Sequence, residues 1–283
     1  DEHPRLKTLH QTNMPVQPTP LIGRTRELET VAALIGEHRL VTFVGPGGTG
    51  KTRLALQVAA ALVSDFGDGV WWVPLAAVRE PSLVIPAVAQ ALGVRGDPVA
   101  AIQGKRMLLL LDNFEQLIDA AAEAAELLAA APQLHMLVTS RRPLVLHSEQ
   151  LYEVFPLPES DAVVLFTERA RMQDHAFVAA PEVVEICRRL DGLPLAIELA
   201  AARCRMLDPE RLLGRLEQRL PVLTGGHRDA PERQRTLRAT IDWSYDLLEP
   251  AEQELLALLS IFAGGWTLEA AEDVCDASLD GLR

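Results

Sequence analysis

The apolar run Leu40-Val41-Thr42-Phe43-Val44 passes without a break into Gly45-Pro46-Gly47-Gly48-Thr49-Gly50-Lys51-Thr52, and a helical period opens directly behind it. A strand that turns through glycines straight into a helix points to a parallel sheet, because the chain must cross back over the sheet before the next strand can align. The glycines also carry a chemical reading. Without Cβ atoms the backbone curls until its N–H groups face an anion, and the new helix aims its positive end at the same spot. Lys51 adds a cation and Thr52 offers a hydroxyl to Mg²⁺, so Gly45, Pro46, Gly47, Gly48, Thr49, Gly50, Lys51 and Thr52 form the expected cradle for the phosphates of ATP or ADP. Only three lysines, Lys7, Lys51 and Lys105, occur in the 283 residues, and one of them stands in this loop.

Apolar runs at 70–75, 107–112, 134–139 and 150–155 alternate with helical periods at 26–36, 51–64, 83–92 and 115–130. That alternation predicts an α/β fold, a P-loop NTPase parallel sheet with helices on both faces. Beyond residue 157 the strand pattern stops. Helical periods at 159–173, 181–190, 194–204, 208–219, 235–248, 251–262 and 267–275 predict an all-α part, broken between Pro221 and Glu232 by two prolines and two glycines. The expected division is a linker over 1–20, a nucleotide-binding domain over 21–157, a helical domain over 158–225 and a further module over 233–283. Pro15, Pro18 and Pro20 mark the linker as a segment that orders late or not at all.

Composition narrows the function classes. A net charge of −12 argues against a surface that grips nucleic acid broadly. From Ile241 to Arg283 there are ten acidic residues and one basic one, which makes that module a poor partner for a phosphate backbone. No apolar run reaches the length of about 18 residues that a membrane crossing requires. Cys187, Cys204 and Cys275 match no zinc or redox spacing and read as reduced thiols of a cytoplasmic protein. The first residues, Asp1-Glu2-His3-Pro4-Arg5, lack an initiator Met, so neighbouring domains of a longer protein are expected.

Hydrolysis needs more than a phosphate loop. Met107-Leu108-Leu109-Leu110-Leu111-Asp112 reads as a strand buried on both faces with a carboxylate at its C-terminal end, where a parallel sheet gathers its ligands. Asp112 is expected to share Mg²⁺ with Thr52; the alternative is a helix cap. Asn113 follows, an amide that cannot take a proton. Glu115 is the nearest carboxylate, either the group that acts on water or a first-turn acid of the helix at 115–130. Turnover below roughly 10 s⁻¹ is expected either way. The fourth strand ends Thr139-Ser140-Arg141-Arg142, and Thr139 or Arg141 is expected to meet the γ-phosphate.

Five ordered motifs together resemble a known family. They are Leu21-Ile22-Gly23-Arg24-Thr25-Arg26-Glu27, the phosphate loop, Leu108-Leu109-Leu110-Leu111-Asp112-Asn113, Thr139-Ser140-Arg141 and Gly192-Leu193-Pro194-Leu195-Ala196-Ile197. Over about residues 20–275 the chain is similar to the signal-transducing (STAND, NB-ARC type) ATPases, above all those of large bacterial transcriptional regulators. The resemblance implies that 233–283 begins a winged-helix domain, that Ile22 and Arg24 meet the adenine, that Pro194 packs on the base or ribose, and that Arg141 touches the γ-phosphate. Read without the resemblance, Pro194 simply opens a helix. The chain stops before the His-bearing motif that holds the β-phosphate of ADP in relatives. The function implied is an ATP/ADP conformational switch with slow hydrolysis and ATP-dependent self-association. A non-hydrolysing nucleotide-dependent scaffold and a motor-type AAA+ remodelling ATPase stand as alternatives.

Overall fold

A computed structural model describes residues 11–216, 236–246, 248, 250–262 and 267–275. The chain divides into two units, residues 1–217 and 218–283.

The first unit is built on five strands, β1 (Leu40–Val44), β2 (Val70–Pro74), β3 (Met107–Asp112), β4 (Leu134–Thr139) and β5 (Glu149–Glu153), all parallel and ordered β2-β3-β4-β1-β5. Helices α1 (Thr25–Glu37), α2 (Lys51–Ala61), α3 (Val84–Leu92), α4 (Pro98–Ile102) and α5 (Ala121–Ala130) cover it. The apolar run of β3 explains why both faces are covered. Leu108 and Leu110 pack with Val31 and Ile35 of α1 and Leu54 and Val58 of α2. Leu109 and Leu111 point the other way, to Val84 and Val88 of α3 and Leu127 and Leu128 of α5. Period-two alternation thus delivers apolar side chains to two cores at once, each buried leucine contributing about 2 kcal/mol.

Two expectations need correction. The helix expected to begin at residue 115 begins later, as a 3₁₀ turn over Ile118–Ala120 and then α5. Asn113 takes a left-handed backbone (φ 65°) and the N–H of Phe114 donates to the carbonyl of Thr139, so the chain leaves β3 as a loop held by β4. The segment before residue 20 is also placed in part. The N–H of Val70 donates to the carbonyl of Gln11, and the side-chain amide of Asn13 both donates to and accepts from the backbone of Trp72, at 2.8 and 2.7 Å. An asparagine side chain here imitates a strand and caps the exposed edge of β2. Helix α4 was not expected; Asp97 accepts from the N–H of Val99 and Pro98 supplies its first turn.

After β5 come α6 (Glu159–Gln173), α7 (Glu182–Arg189), α8 (Pro194–Ala201), a 3₁₀ turn (Ala202–Arg205) and α9 (Pro209–Arg215). Gly192 (φ 65°) joins them to the sheet: its carbonyl accepts from the N–H of Leu157, and a Cβ on it would stand 2.4 Å from the Leu157 carbonyl oxygen. Only glycine permits that approach.

The second unit holds helices Leu237–Tyr245, Pro250–Leu259 and Leu268–Cys275. Leu259 and Ala271 are buried together, with Leu255 and Phe262 against them. Among the described residues no helix is long and apolar enough to cross a membrane.

Candidate functional site

Three neighbouring strands, β3, β4 and β1, end at one edge of the sheet, and each carries a functional group there. The phosphate loop leaves β1 with Gly45, Gly48 and Gly50 all at positive φ. A Cβ on Gly45 would come within 2.8 Å of the Val154 carbonyl oxygen, so the loop lies too close to the segment after β5 for any other residue.

Lys51 is 8% exposed, and its Nζ donates to the carbonyls of Gly45 and Pro46 at 2.6 and 2.9 Å. Burial pushes this ammonium down from 10.5 to about 8, against the attraction of Glu115, with Arg141 lowering it further and Asp112 offsetting. A buried ammonium of lowered pKa in a glycine loop fits a site that accepts an anion.

Asp112 is 4% exposed. Its Oδ1 accepts from Thr52 Oγ1 at 2.6 Å and from Thr139 Oγ1 at 2.7 Å. The same Thr139 oxygen accepts from the N–H of Asn113 at 2.9 Å. A hydroxyl from β4 thereby fixes the carboxylate at the end of β3 and joins it to the first turn of α2. The helix-cap alternative for Asp112 does not describe these contacts, since α5 starts nine residues later. A paired hydroxyl and carboxylate at the mouth of a glycine loop is a donor set suited to Mg²⁺, and loop, lysine and oxygens together fit a magnesium nucleotide.

Glu115 lies in the loop beyond β3 and is 7% exposed. Its Oε1 is 3.4 Å from Arg141 Nε, two residues past the end of β4, while its Oε2 is buried without a hydrogen-bond partner.

The helical layer closes on the loop. The N–H of Leu195 donates to the carbonyl of Gly48 at 3.3 Å, and Pro194 Cγ is 3.9 Å from where a Cβ on Gly50 would be. Pro194 opens α8, with its ring on the side of the phosphate loop. Beside it a cleft open to solvent is lined by Ile22, Arg24, Thr49, Gly50, Pro194 and Glu198 among others. Arg24 braces this region: left-handed at φ 68°, it donates to Glu27, to the Thr49 carbonyl and to the Phe155 carbonyl.

The sequence reading missed a cluster at the cleft. Glu198 Oε1 accepts from Arg169 of α6 at 2.9 Å and from Arg53 of α2 at 3.4 Å, and both arginines also reach Thr19. Signals for it existed. Glu198 is four residues past Pro194, on the same helix face, and Arg169 falls at a buried position of α6.

The chain is 45% identical over 260 residues to a candidate HTH-type transcriptional regulator of Mycobacterium tuberculosis, covering 87% of this chain and 29% of that protein. An uncharacterized protein of the same species is 42% identical over 270 residues, covering 90% of this chain and 69% of that one. The regulatory protein AfsR of Streptomyces coelicolor is 30% identical over 308 residues, covering 95% of this chain and 29% of AfsR. The chain thus spans less than a third of the length of the first relative and of AfsR. No protein-family model matches it. Among solved structures, a Walker-type ATPase of Pyrococcus abyssi aligns with a TM-score of 0.59 at 14% identity, covering 93% of this chain and 87% of that one, a likeness of fold.

Proposed function

The chain belongs to the signal-transducing, STAND-type P-loop ATPases of large bacterial transcriptional regulators, and from that premise we propose that it is the ATP/ADP switch of such a regulator, with slow hydrolysis. The observation that carries this reading is the contact between α8 and the phosphate loop, Leu195 N–H to the Gly48 carbonyl beside Pro194. A nucleotide in the cleft touches the sheet domain and the helical layer together. Its affinity then depends on how the two are arranged, which is what lets a ligand shift a conformational population.

In this reading residues 21–157 form the nucleotide-binding domain and 158–225 the helical domain. The Gly45 to Thr52 loop and Lys51 bind the phosphates, Ile22, Arg24 and Pro194 enclose the nucleoside, and Arg141 meets the γ-phosphate. Thr52 and Asp112 hold Mg²⁺, which neutralises charge on the phosphate oxygens. Glu115 is the carboxylate nearest the attacking water. With ten acids to one base from Ile241 onward, contact with DNA falls to other modules.

Amide exchange tests the switch. The Leu195 N–H is expected to exchange faster with Mg²⁺-ATP bound than with Mg²⁺-ADP, with turnover under about 10 s⁻¹. Equal protection in the two states would remove the basis for the reading. If ATP is bound but not turned over, even in a single-turnover assay, the scaffold alternative takes its place.

A further inference from the structure

Residues 11–20 are held at both ends. At one end the Gln11 carbonyl accepts from the Val70 N–H, Asn13 brackets the backbone of Trp72, and Met14 packs against the core that α1 and α2 share with the sheet. A Cβ on Gly69 would stand 2.4 Å from the Gln11 carbonyl oxygen, so the edge of β2 is shaped to this segment. In the middle, Pro15, Val16 and Pro18 are exposed. At the other end Arg53 of α2 donates to the carbonyls of Thr19 and Pro20 and to the Thr19 hydroxyl, and Arg169 of α6 donates to that same hydroxyl at 3.1 Å.

This second anchor belongs to the cleft. Arg53, Arg169 and Glu198 line it together with Gly50 and Pro194. The two guanidiniums share the one carboxylate of Glu198, at 3.4 and 2.9 Å. Burial lowers the Arg53 guanidinium from its ordinary value, with Glu198 opposing and Arg169 adding to the effect. Five donors on each arginine outnumber what one carboxylate accepts, and the oxygens of Thr19 and Pro20 supply the remainder. Thr19 Oγ1 therefore touches the sheet side and the helical layer at once.

We propose that residues 11–20 are a strap whose hold on the edge of β2 is set by the nucleotide state of the cleft, with Thr19 the positioning residue that couples the two. The inference rests on the switch reading of the same cleft. The Thr19 hydroxyl meets both arginines only while α2 and α6 are close, and the same approach encloses a nucleotide between Gly50 and Pro194. Strap and nucleotide thus favour one arrangement, and by linkage each tightens the other. Pro15, Pro18 and Pro20 keep the intervening chain extended and stiff, so a shift at Thr19 is carried to Asn13 rather than absorbed.

Amide exchange at Val70 and Trp72, whose N–H groups donate to the strap, reads its docking away from the cleft. Both should exchange about fivefold faster with Mg²⁺-ATP bound than with Mg²⁺-ADP, in step with Leu195, a factor at the low end of couplings between sites. Thr19→Val keeps the shape and the backbone contacts to Arg53 but removes the shared hydroxyl. In that variant the nucleotide response at Val70 and Trp72 should vanish while the response at Leu195 stays, and a response that survives at Val70 and Trp72 removes Thr19 as the coupling residue. Asn13→Ala, at the opposite end of the strap, tests reciprocity: calorimetry should show Mg²⁺-ADP binding about fivefold weaker, with Mg²⁺-ATP binding changed less. Unchanged ADP affinity there overturns the coupling. If the parent answers ATP and ADP differently at Leu195 but not at Val70 and Trp72, the strap is passive and the switch stands. Equal protection of Leu195 in the two states overturns the switch, and the strap coupling with it.

Discussion

Thr139, one of the two residues expected at the γ-phosphate, has its hydroxyl bonded to Asp112 and the Asn113 N–H, and that geometry gives it a measurable share of the stability of the site. Its hydroxyl is fully buried, donates to Asp112 at 2.7 Å and accepts from the Asn113 N–H at 2.9 Å. Thr139→Val keeps the shape and removes both bonds. A hydrogen bond to a charged group is worth about 1.5–3 kcal/mol, and taking the acceptor from a buried N–H adds about 1–3 kcal/mol. Because the two share one oxygen they do not add fully, and a loss of about 3 kcal/mol is the expected net. For a unit of this size that lowers the melting temperature by roughly 6–12 °C. Calorimetry of nucleotide-free protein in EDTA reads it directly. Thr139→Ser retains the hydroxyl and should stay within about 1 kcal/mol of the parent apart from its lost methyl. A valine variant within 1 kcal/mol of the parent would falsify the claim that this hydroxyl organises Asp112 and the loop after β3.

Other predictions concern the frame around the site. Gly192→Ala must put a Cβ 2.4 Å from the Leu157 carbonyl at positive φ, and should cost over about 2 kcal/mol, whereas Gly214→Ala, in α9 with open space around it, should stabilise by about 0.5–1 kcal/mol; melts of both variants check the contrast. Burial holds His135 below its usual value, helped by the charges of Arg106 and Arg39 against a backbone contact that opposes it. The unfolded chain therefore takes the proton first as pH falls below about 6.5, so stability drops on the acid side, and His135→Gln should flatten that drop in urea midpoints compared at pH 7.5 and 5.5. Asn13→Ala removes both bonds to Trp72 and should speed exchange of the Trp72 N–H without moving that of Leu110 in the sheet centre; unchanged Trp72 exchange counts against the docked segment.

Local pattern made a large part of this protein legible. Four of the five strands announce themselves as short apolar runs, the edge strand β5 being largely polar, and α6 begins and ends at the residues its periodicity predicts. The phosphate loop is readable because its work is done by backbone, and a glycine-rich turn is visible wherever the chain is headed. The side-chain constellation was less legible. Asp112 and Arg141 are marked by their places at strand ends, but nothing local says that β4 lies between β3 and β1, which is what brings Thr139 onto Asp112 and Asp112 onto Thr52. Strand order is settled by long-range packing, and Glu115 shows the same limit at shorter range. Its helix-forming neighbours Ala120 to Ala125 predicted a helix from residue 115, but burial of Phe114 and its bond to Thr139 hold the chain in a loop, and only that tertiary constraint turns the carboxylate toward Arg141. A glycine loop on a parallel sheet is legible because its signals are local, whereas the side chains that meet over the loop depend on the fold, because those contacts join residues 26 to 145 apart along the chain.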